Sequence, residues 1–136
     1  HQKPLDFSDP HAEVLDHVYL LMSHAPNLHH VCPLNFLAKV QGLLTETPAD
    51  SLMNICFLRA RTNIQISDRN PLDYIQEFHT VPDFDKILAS HLIDAAFIER
   101  DGFGPYDYRD FLLARADAFC ESVKAALPDV KVTIVD

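Results

Sequence analysis

Proline cuts this chain where an apolar run would otherwise continue, and so limits how long its elements can be. Pro33 stops a short apolar stretch at 28–32, and Ala25-Pro26-Asn27 ends the segment before it. A ring that locks φ and removes the backbone donor halts strands and helix interiors alike. At Asp9-Pro10 and Asn70-Pro71 the proline instead follows a capping side chain, the pattern of a helix start. Short helices and a few short strands are the expected result.

After Asp9-Pro10, Val14, Leu15, Val18, Leu21 and Met22 recur at helical spacing. A strand over 28–32 follows, then a turn or two of helix over 35–41, closed by Gly42. A loop at 45–49 leads through 51–54 into a second strand, 55–58. Further helices are expected near Thr62, from Asn70-Pro71 with Leu72, Tyr74, Ile75 and Phe78 as the apolar face, over 84–92 and over 106–126. In the last, Phe111, Leu112, Arg115, Phe119 and Val123 recur at near-heptad spacing and read as mostly core. Residues 130–135 alternate as a small edge strand or a tail. Residues 1–8 read as a flexible lead-in or the remnant of a tag, and 9–136 as a single domain. A start at His1 without Met suggests a piece of a larger protein. The fold class is α+β, mainly α, with one small two-stranded β element.

Composition narrows the classes of function. With 136 residues, 48% of them hydrophobic, the chain can build one packed domain and is not disordered. No apolar run approaches the ~18 residues of a bilayer span, and the polar, proline-containing start is no secretory signal. Cys32, Cys56 and Cys120 are odd in number and form no CxxC or zinc pattern, which favours buried thiols in a reducing, cytoplasmic compartment. A net charge of -9 opposes tight non-specific binding of nucleic acid, which rests on Lys and Arg neutralising phosphates.

The chemistry-bearing feature is His29-His30. Adjacent strand residues point to opposite faces, so both serve one site only at a strand end or on a strongly twisted strand. Otherwise they are ring-shaped fillers at the edge of a core. Asn54 opens the second strand, and Asn63 lies nine residues on, at the start of the next helix. A strand–loop–strand–helix unit can bring these four side chains together. Phosphodiester hydrolysis needs a divalent cation, a base for water and a group that orients the base. Imidazole suits the base near neutral pH, and a second imidazole with an amide oxygen can hold the cation. His11, His17 and His24 are spaced by six and seven and do not share one helix face; surface or packing roles suit them better. The stretch "ERDGFGPYDYRDF" reads as a turn between helices.

Two segments resemble a known family. "HHVCPLNFL" resembles the first strand of HNH endonucleases, and "DSLMNICFLRARTNIQISDRNPLDYI" resembles the second half of that motif. The overall likeness is to the C-terminal nuclease domain of GmrSD-type, modification-dependent restriction enzymes, in which a ParB-like NTPase domain precedes it. The resemblance covers 28–78 and is weaker beyond. It implies a ββα-metal (HNH) finger, about 28–70, embedded in helices. It implies His30 as general base, Asn54 as the residue that orients the base and pins the hairpin, and His29 and Asn63 as ligands of one Mg²⁺ or Mn²⁺. The family often has Asp where His29 stands. Ile64 and Gln65 occupy positions often basic in the family, leaving Arg59, Arg61 and Lys39 as candidates for the DNA backbone. The implied function is metal-dependent cleavage or nicking of duplex DNA, giving a 5′-phosphate and a 3′-hydroxyl, within a larger restriction or phage-defence protein. A degenerate module that binds DNA or a protein without hydrolysis is the alternative, and a small helical interaction domain is a third.

Overall fold

The computed structural model describes residues 3–14, 27–40, 48–103 and 105–128. Strands β1 (Leu5–Asp6) and β2 (Asp9–Glu13) pair antiparallel, as do β3 (Asn27–His30) and β4 (Ile55–Leu58). The helices are α1 (Leu34–Val40), α2 (Ala60–Ile66), α3 (Pro71–Phe78), α4 (Phe84–Ser90) and α5 (Pro105–Ala126). Short 3-10 turns at Leu52–Asn54 and Ala95–Glu99 link them. Among the described residues the fold is α+β, mainly helical, with two small antiparallel two-stranded sheets. Among the described residues no helix is long and apolar enough to cross a membrane.

A local signal sets the start of α3. Asn70 caps α3, its side chain accepting from Leu72 N at 3.0 Å, with Pro71 in the first turn. Leu72, Tyr74, Ile75 and Phe78 are buried, as their spacing predicts. Helix α2 lacks a local side-chain cap at Arg59. A distant carboxylate takes that role: the fully buried Asp6 accepts from Arg59 N at 2.8 Å and from Thr62 Oγ1 at 2.7 Å. Negative charge at a helix N-terminus is favourable, and here it ties the first hairpin to the helix behind β4.

The amino-terminal reading needs correction. Residues 1–8 were expected to be a flexible lead-in, yet Leu5–Asp6 is a strand and Phe7 is fully buried. The Phe7 ring is ringed by His91, Phe84, Phe78 and Tyr74, with centroids 5.1, 5.9, 6.1 and 6.3 Å away. Asp9-Pro10 opens no helix; it begins β2, where a proline at the start of a strand is tolerated. The remainder of that predicted helix, and the 130–135 strand, lie outside the described residues.

Helix α5 reaches from the core outward. Tyr108 and Phe111 are buried, Leu112 partly so, and Phe119 is half exposed, so the face expected to be mostly core is so only in its first half. The buried Arg115 guanidinium joins α5 to two distant carbonyls, donating from Nε to His91 O at 2.9 Å and from Nη1 to Met53 O at 2.6 Å. The second bond holds the 3-10 turn that ends at Asn54.

Candidate functional site

Strands β3 and β4 run in unbroken register, with His29 opposite Cys56 and His30 opposite Ile55. Where the strand pair ends, Asn54 takes over. Its carboxamide accepts from Cys32 N at 2.8 Å and donates to Cys32 O at 2.9 Å and to Ala49 O at 3.0 Å, while its carbonyl accepts from Val31 N at 2.8 Å. Asn54 is fully buried, so each lost bond would leave an unsatisfied polar group. It therefore locks the chain that leaves His30. All its side-chain bonds run to backbone rather than to the His30 ring. From α3, the Tyr74 hydroxyl also donates to Val31 O.

His30 is the last strand residue, the position at which neighbouring side chains can share a site. A cleft of about 320 Å³ is lined by both His29 and His30, by Asn63 of α2, and by Asn35 and Asp68. The two imidazoles sit in different surroundings. His29 is buried, with Nδ1 donating to Asn63 Oδ1 at 2.5 Å and Nε2 without a partner among the described residues. Burial pushes its pKa down to about 4, against the opposing pull of the Asn63 bond, so the ring is neutral at pH 7. His30 is half-buried, its Nε2 2.9 Å from Asp50 Oδ1. Asn35 Nδ2 donates to Asp68 Oδ2 at 2.9 Å across the cleft mouth.

The donor pair can be tested against a cation. His29 Nδ1 and Asn63 Oδ1 lie 2.5 Å apart. Neighbouring ligands of an octahedral Mg²⁺ at ~2.1 Å keep about 3 Å between them, so a small displacement would admit an ion. The neutral imidazole is the ligating form. Ligation through Nδ1 moves the ring hydrogen to the buried Nε2, which has no acceptor to receive it, and this weakens the site. No group of three or more His, Cys, Asp or Glu side chains converges on a metal position among the described residues. An imidazole nitrogen and an amide oxygen are donors of the kind that suit a divalent cation completed by water and phosphate oxygens.

The candidate basic contacts stand apart from the cleft. Lys39 is exposed near the end of α1 and Arg61 is exposed on α2. Arg59 is half-buried, with Nη1 3.6 Å from Asp9 Oδ2. None of the three lines the cleft. Leu28 and Leu34 line the cleft and are 60% and 41% exposed, beside the polar Asn35, Ser67 and Asp68, while Ile64, next to Asn63 in the chain, is 77% exposed. Cys32 and Cys56 are buried, and burial pushes the Cys56 thiol up to about 12, which leaves both inert. Sequence reasoning missed Asp6 and Asp50. The first acts across more than fifty residues, and the second carries no local signal beyond the Asp-Ser pair inside the motif.

Compared with models of protein families, with curated proteins and with solved structures, the chain matches none.

Proposed function

We propose that the cleft is the active site of a metal-dependent DNA endonuclease of the HNH type, with β3, β4 and α2 as its ββα-metal finger. The observation that carries this reading is the convergence of His29, His30 and Asn63 on one cleft, behind a chain locked by Asn54. In this reading His29 and Asn63 hold one Mg²⁺ or Mn²⁺, which when bound neutralises charge on the scissile phosphate and the departing oxygen. The His30 imidazole takes a proton from a water molecule. The water oxygen bonds to phosphorus, the bond from phosphorus to the 3′ oxygen breaks, and solvent returns a proton to that oxygen. Asn54 keeps the base at the strand end. Duplex DNA is the substrate, and a ParB-like NTPase domain or partner would supply recognition. A reducing, cytoplasmic setting suits the buried thiols.

The test is cleavage of supercoiled plasmid with Mg²⁺ or Mn²⁺. His30→Ala is expected to lower the rate by roughly 10²- to 10⁴-fold while leaving stability within about 0.5 kcal/mol, since the ring is half-buried. Full cleavage by His30→Ala removes His30 from the base role. The second reading, a module that binds DNA or a protein without hydrolysis, is favoured by the absence of Lys39, Arg59 and Arg61 from the cleft lining. DNA binding without metal binding, both measured by calorimetry, would support it.

A further inference from the structure

His30 is held by a carboxylate. Its Nε2 lies 2.9 Å from Asp50 Oδ1, and a carboxylate only accepts, so Nε2 carries the hydrogen and Nδ1 is left as the basic nitrogen. The segment that presents Asp50 is tethered on both sides. Ala49 O accepts from Asn54 Nδ2 at 3.0 Å and from the Tyr108 hydroxyl at 3.1 Å, and Pro48 O accepts from the same hydroxyl at 2.9 Å. On the other side Ser51 caps the 3-10 turn, its Oγ accepting from Met53 N at 3.3 Å. Asn54 thus reaches the His30 ring through the backbone of Ala49 and the side chain of Asp50.

We propose that Asp50 is a positioning residue, whose carboxylate orients the His30 imidazole with Nδ1 as proton acceptor while Asn54 and Tyr108 hold the loop that presents it. The proposal rests on the nuclease reading of the cleft. It makes a prediction opposite in sign to that of a plain surface charge. Asp50 is exposed, and an exposed acid beside a phosphate site repels DNA. Were repulsion its whole effect, its removal would lower KM and leave kcat unchanged. A positioning carboxylate loses kcat on removal, with KM no higher.

The experiment uses the full chain with plasmid DNA and Mn²⁺, and reads Asp50→Ala, Asp50→Glu and Tyr108→Phe beside the wild type. Asp50→Ala is expected to lower kcat about tenfold, the modest loss suited to a solvent-screened pair, and Asp50→Glu to recover most of it. Tyr108→Phe, remote from the cleft, is expected to fall between. A second arm needs no activity. A low-field imidazole N–H resonance, assigned to His30 by its loss in His30→Gln, is expected in the wild type and Asp50→Glu and absent in Asp50→Ala. Unchanged or raised kcat in Asp50→Ala, or a resonance indifferent to Asp50, overturns the proposal. A wild type that cuts no DNA under any divalent cation defeats the nuclease reading instead, and the resonance still decides whether Asp50 holds the ring.

Discussion

The two small sheets have the same architecture and opposite uses. In β1–β2 the register shifts between Leu5 and Asp6, and what the hairpin contributes points inward: Phe7 to the aromatic core and Asp6 to the start of α2. In β3–β4 the register is regular across four pairs, and the strand end opens on a polar cleft. One sheet supports and the other presents. Each holds a buried histidine with a pKa lowered to about 4, His91 against Phe7 and His29 beside Asn63. His91 Nε2 donates to Leu5 O at 2.6 Å and is saturated, whereas His29 Nε2 is left without a partner among the described residues. The histidine Nε2 of the supporting side is paired, and that of the presenting side is not.

Breaking the supporting side should have the largest effect. Phe7→Ala removes a fully buried ring and is expected to cost about 3–5 kcal/mol, read by urea unfolding, with loss of the cleft as a consequence. Such a protein that kept wild-type stability would mean that β1–β2 is no support.

Acid should weaken both regions together. Burial lowers both histidines from the usual 6.5, so above about pH 6.5 neither state binds the proton and their contribution is complete. As pH falls from about 6.5 toward 4 the unfolded chain binds protons that the folded chain refuses, and stability drops by up to about 3 kcal/mol per histidine. Below about pH 4 these two add no further loss. Circular dichroism across this range should show the fall, and His29→Gln should remove about half of it.

Two changes sharpen the presenting side. His29→Asp supplies the carboxylate that the donor pair lacks and is expected to raise Mg²⁺ affinity about tenfold by calorimetry, because hard cations prefer oxygen ligands. Equal or weaker binding would place the cation elsewhere. Ile64→Lys puts a cation on the exposed face of α2, next to Asn63 in the chain, and is expected to tighten DNA binding about threefold at low salt, an effect lost at high salt.

The start of α3 was legible because its cause is local. Asn70-Pro71 caps a helix within three residues, and the apolar spacing of Leu72, Tyr74, Ile75 and Phe78 gives its buried face directly. The strand pair was legible too, with the second strand at its predicted bounds. Asp9-Pro10 misled because the same dipeptide suits a helix start and the first residues of a strand. Only pairing with Leu5–Asp6 decides between them.

From sequence alone come the order of short elements from β3 to α5 and the inward face of α3. Those depend on dihedral preferences and spacing, which act within a few residues. Tertiary structure alone decided that Asp6 would cap a helix more than fifty residues away, that Phe7 would sit in the core, and that Asp50 would meet His30. Such contacts are chosen by the burial of charge and apolar surface across the whole fold, and no local preference encodes them.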